Sequence, residues 1–119
     1  MQLVNTAEQF EKVYNETTED PKPVFILKKL TYGEVASIQD CTSVVDDKNR
    51  IVYLGGTSNK LKIKYSLVGW KNIVDSSGKD VLCNDVNKEK LPPEVALWLN
   101  KEIDKLNALA GIPEEERKN

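Results

Sequence analysis

Apolar residues along this chain fall into short bursts separated by polar connections, and the spacing inside each burst predicts an element. Over residues 6–16, Phe10, Val13 and Tyr14 recur at i, i+3, i+4, with Glu11, Lys12 and Asn15 on the other faces. Thr6 and Gln9 supply a capping box at the start, so the stretch reads as a helix. Pro21 and Pro23 in the linker behind it block both helix and central strand, which makes this helix a mobile arm. Val24-Phe25-Ile26-Leu27 then predicts a mostly buried strand continuing to about residue 30. Thr31 and Glu34 form a second capping box, opening a short helix to about Asp40 with Val35 and Ile38 inward. Val44-Val45 and Ile51-Val52-Tyr53-Leu54 flank the polar Asp46-Asp47-Lys48-Asn49 and predict a β-hairpin that Gly55-Gly56 ends.

Residues 60–70 carry two patterns at once. Leu61, Ile63, Tyr65 and Leu67 alternate with polar residues as in a half-buried strand. Leu61, Tyr65 and Val68 also share a helical face, with Thr57 or Ser58 as cap and Gly69 as a left-handed stop. Periodicity does not choose between them. Further on, Asn72-Ile73-Val74 and Asp80-Val81-Leu82-Cys83 flank Asp75-x-x-Gly78, turn chemistry for a second hairpin. The strongest element follows Leu91-Pro92-Pro93: Val95, Trp98, Leu99, Glu102, Ile103 and Leu106 trace a helical stripe over about 93–109, closed by Gly111 and Pro113. The expected fold is α+β, a small, mainly antiparallel sheet with a long C-terminal helix and shorter N-terminal helices. Residues 1–20 form the helical arm, 21–113 a single α+β domain, and 114–119 a charged tail.

Composition narrows the function. The 119 residues suffice for one core and not for two. Seventeen Lys and Arg against 19 Asp and Glu give a net charge of −2, with no like-charge block longer than Glu114-Glu115-Glu116. A nucleic-acid partner is not expected, since its binders carry a basic face. No apolar run approaches the ~18 residues of a membrane span, and the first residues lack a secretory-leader pattern. The chain thus reads as soluble and cytoplasmic, with no membrane partner. Histidine is absent, which removes the commonest general base and the commonest zinc ligand.

The remaining reactive residues have plainer readings. Cys41 falls at a helix C-terminus, whose negative dipole is opposite to what a nucleophile needs, and Cys83 reads as a small buried hydrophobe in a strand. Asp46-Asp47 and Asp75-x-x-Gly78 lack the oxygen spacing of a calcium loop and fit turns. Gly55-Gly56-Thr57 is only a fragment of a phosphate loop. Trp70, just after a glycine, is either a core anchor or an exposed contact, and Trp98 is expected in the core by its place in the helical stripe. No catalytic, cofactor-binding or metal-binding residue is predicted.

From residue 25 onward the chain resembles the tail assembly chaperones of long-tailed bacteriophages and prophages. The resemblance is carried by Leu30-Thr31 with Glu34, by Leu67-Val68-Gly69-Trp70-Lys71-Asn72 before Asp75-x-x-Gly78, by Leu91-Pro92-Pro93-Glu94-Val95, and by a Glu-rich end finishing in Lys118-Asn119. Residues 1–20 do not match the pattern. The resemblance implies a helix over residues 60–68. It also implies a non-enzymatic factor, made in the host bacterial cytoplasm, that binds the tape-measure protein and helps recruit the tail-tube protein. Self-association is a further expectation. The alternatives are a head–tail or tail-completion protein retained in the virion and, from another class, a small enzyme. Apolar residues left outside the predicted stripes are the candidate partner-binding groups: Phe10 and Tyr14 on the arm, Trp70 after its glycine, and Leu109 and Ile112 past the last helix.

Overall fold

The all-apolar tetrapeptide at residues 24–27 needs cover on both faces and partners on both edges, and it occupies the middle of a sheet. The computed structural model describes residues 1–107. In chain order the elements are β1 (Phe10–Val13), β2 (Val24–Leu27), α1 (Tyr32–Thr42), β3 (Ser43–Val45), β4 (Ile51–Tyr53), α2 (Gly55–Ser66), β5 (Leu67–Lys71), α3 (Asp85–Lys88) and α4 (Pro93–Leu106). One sheet has the order β1-β2-β5, antiparallel throughout, and the second is the β3–β4 hairpin alone. The α+β class is therefore as expected.

The first element differs from its expected form. Residues 10–13 are an edge strand paired with β2, Phe10 opposite Leu27 and Val13 opposite Val24, and not part of a helix over 6–16. A short isolated helix is marginal in water, whereas the open edge of β2 offers a ladder of hydrogen bonds. The arm is not detached either. Tyr14 N–H donates to the Pro23 carbonyl at 2.9 Å, and Pro23 itself is buried. The Tyr14 ring meets Trp98 edge-on, centroids 5.1 Å apart.

The capping box at Thr31 is present in full: its hydroxyl accepts the Glu34 N–H and the Glu34 carboxylate accepts the Thr31 N–H at 3.0 Å. The two patterns over 60–70 resolve in sequence, α2 running to Ser66 and β5 beginning at Leu67. Two details change. α2 starts at Gly55, with no side-chain cap from Thr57 or Ser58, and Gly69 lies inside β5 rather than stopping a helix. There Gly69 faces Ile26, whose Cδ1 would stand 3.4 Å from an added Cβ. The second hairpin shrinks to one bridge, Val74 with Asp80, so Cys83 is not on a strand.

α4 buries Val95, Leu99 and Ile103, as its stripe predicts, together with Asn100. It lies along α2, tied there by Lys62 Nζ to Asp104 Oδ1 at 3.0 Å. Its end is fixed by Asn107, whose Oδ1 accepts the Leu30 N–H at 2.6 Å. The core joins Phe25 and Leu27 of β2, Ile38, Ile63 and Leu67 to these α4 residues. The expected continuation of α4 to 109, the stop at Gly111 and Pro113 and the tail 114–119 lie outside the described residues.

Candidate partner-binding surfaces

The candidate contact residues do not form one surface. Tyr14 is 7% exposed, and so belongs to the core rather than to a free arm. Phe10 is half-buried on β1, with Lys29 Nζ 5.8 Å from its ring centroid. Trp70 is half-buried in β5; its Nε1–H donates to the Val81 carbonyl at 2.7 Å and its ring meets Phe25 edge-on. Tyr14 and Trp70 thus meet the same Phe25–Trp98 cluster from two sides, as packing residues. Leu109 and Ile112 lie outside the described residues.

Two surfaces stand out instead. The β3–β4 hairpin meets the body mainly where it leaves α1, and Leu54 N–H closes its base on the Thr42 carbonyl at 2.7 Å. Val45 pairs with Ile51 on one face and Val44 with Val52 on the other. Val45 is 65% exposed and Ile51 64%. A two-stranded sheet covered on one side would alternate apolar and polar; this one is apolar on both sides. That signal was present in Val44-Val45 and Ile51-Val52, whose runs do not alternate.

The second surface is a cleft of about 730 Å³ between the β1–β2 connection, the segment after β5 and the start of α4. Tyr14, Phe25, Ile73 and Val95 form its floor, and Glu16, Glu19, Asp20, Asp80 and Glu94 stand around it. Burial, then the charges of Glu16, Glu94 and Glu19, push the Tyr14 hydroxyl above the ordinary tyrosine range. Across the molecule, a groove of about 790 Å³ between α2, α3 and α4 has mixed charge. Its Lys60 is paired with Glu89 at 2.6 Å and its Lys88 lies 3.4 Å from Asp85.

The two turn aspartates are where their turn chemistry predicts, whereas Cys83 is half-buried and off any strand. Asp46 Oδ1 accepts the N–H groups of Lys48 and Arg50, and Asp75 Oδ1 those of Ser77 and Lys79, all at 2.8–3.0 Å. Both carboxylates are thus engaged by their own turns. Hydrogen bonds from the Arg50 backbone to Asp46, and from the Ser77 hydroxyl to Asp75, hold them below the usual carboxylate range. Cys41 is exposed; Cys83 is partly covered, and burial pushes its thiol up. Among the described residues, no three Cys, Asp or Glu side chains are grouped to hold a metal ion, and no helix is long and apolar enough to cross a membrane.

Comparison with family models, with curated proteins and with solved structures returns no match.

Proposed function

We propose that this chain is a tail assembly chaperone of a long-tailed phage or prophage, a non-enzymatic factor of the host cytoplasm that binds the tape-measure protein and helps recruit tail-tube subunits. The observation that supports this reading is the β3–β4 hairpin, apolar on both faces and standing off the body. An isolated two-stranded hairpin is marginally stable in water and gains from cover. Exposed apolar area of this kind marks a protein-binding surface. An apolar stripe on a long helical client supplies such cover, and many weak contacts along one client add up through effective concentration.

Co-expression of the tagged chain with the tape-measure and tail-tube proteins encoded beside it tests the reading. The tape-measure protein is expected to co-purify, and the chain to be missing from finished particles. Failure to retain the tape-measure protein would overturn the proposal, and recovery of the chain in purified virions would favour a head–tail or tail-completion role.

A further inference from the structure

The cleft beside Tyr14 has a composition that defines its occupant. Its floor is aromatic and aliphatic, and its five carboxylates come from three separate parts of the chain. No lysine or arginine lines it, and none of the five carboxylates is in an ion pair among the described residues. The nearest cation on the same connection, Lys22, is turned to Asn15, its Nζ donating to Oδ1 at 3.3 Å. The α4 N-terminus borders the cleft, but Pro92 and Pro93 remove two N–H groups there and Glu94 adds a negative charge, so this helix end does not suit an anion. Tyr14 is more than nine-tenths buried and still lines the cleft. Tyr14, Glu16, Glu19 and Glu94 all line the cleft, so the ring and these three carboxylates border the same space.

We propose that this cleft docks a cationic, apolar-anchored segment of a partner protein, its apolar side chains against Tyr14, Ile73 and Leu91 and its lysines or arginines against Glu16, Glu19 and Glu94. A metal ion is a poor match, because no three acidic groups among the described residues converge on one point. Charges spread around an apolar floor instead match side chains spaced along a peptide. The volume is that of a pocket for a few side chains. The Tyr14 hydroxyl offers the segment a hydrogen bond, and the unpaired carboxylates steer its approach. The proposal is independent of the tail-assembly reading, because the occupant is defined by charge and shape alone.

The test uses a labelled amphipathic peptide of leucine, lysine and arginine, about 14 residues or roughly four helical turns long. Two further probes are the same peptide with serine for leucine, and spermidine. Anisotropy and NMR shifts on the full chain are expected to show the leucine peptide binding, with shifts at Tyr14, Ile73 and Glu94. Neutralising the wall with Glu16→Gln, Glu19→Gln and Glu94→Gln should weaken it on the order of tenfold. Tyr14→Phe, which keeps the ring, should weaken it a few-fold. The control Glu8→Gln, Asp40→Asn and Asp47→Asn removes equal charge elsewhere and should leave binding unchanged. The proposal is overturned if the control weakens binding as much as the wall variant, if shifts map to the hairpin, or if the serine peptide or spermidine binds as tightly.

Discussion

Leu99 has no exposed surface and sits where α4 closes on the sheet and α2. Leu99→Ala should cost about 2–5 kcal/mol, and Leu99→Asp, which places an unpaired charge in that position, should prevent stable folding. Thermal and urea unfolding check both, and a normal melting temperature for the aspartate variant would contradict the packing. The thiols offer a second check. Cys41 is exposed, whereas Cys83 is partly covered with its thiol pushed up by burial, so a thiol reagent should modify Cys41 first and Cys83 slowly. Equal rates would contradict this environment. The turn aspartates make a pH prediction. Each is held below the ordinary range in the folded chain, so each contributes stability above its unfolded value, and that contribution falls away as pH drops through the folded value. An NMR titration should place both midpoints below the usual aspartate range, and Asp75→Asn should reduce the loss of stability on acidification. These turn residues were legible in the sequence, because Asp75-x-x-Gly78 states its chemistry locally. Gly78 takes a φ of 84°, and Asn49 a φ of 59° in the matching position of the other turn.

The capped helix α1, the β3–β4 hairpin and α4 were readable among the elements because their signals are local. β1 was not. Its inward positions are Phe10, Lys12 and Tyr14, a strand alternation, but a lysine occupies the middle one. Lysine lays its aliphatic stem on apolar surface, so the period of two is hidden and Phe10, Val13 and Tyr14 show a helical spacing instead. The choice was made by the edge of β2, a partner distant in sequence. Residues 60–70 had both periods for a different reason: a helix passes directly into a strand at Ser66–Leu67. The junction is fixed by Ser66, whose hydroxyl donates to the Lys28 carbonyl at 2.7 Å while its own carbonyl accepts the Lys28 N–H. If β1 is integral to the body, Tyr14→Ala should lower stability by about 3–5 kcal/mol, the range for a large aromatic. Phe10→Ala, at the half-buried strand end, should cost distinctly less. Circular dichroism melts that leave the Tyr14→Ala variant unchanged would show a detached arm instead.

At the scale of the whole molecule, the apolar residues divide between a shared core and a hairpin that the core does not use. The candidate contacts Tyr14 and Trp70 pack against Trp98 and Phe25 on other elements, with Tyr14 also lining the cleft, and sequence spacing does not show that meeting. The hairpin's exposure was legible only as two non-alternating runs; that both faces stay open depends on where α1 and α2 carry it. Val45→Asp with Ile51→Asp alters two well-exposed positions, so it should leave the melting temperature nearly unchanged and, on the proposed tail-assembly role, remove the tape-measure protein from the pull-down. The most direct measurement of the central claim is amide hydrogen exchange on the chain alone and in complex with the tape-measure protein. The account predicts that residues 43–54 exchange quickly in the free chain and become protected in the complex. A complex in which those amides exchange as fast as in the free chain would contradict it.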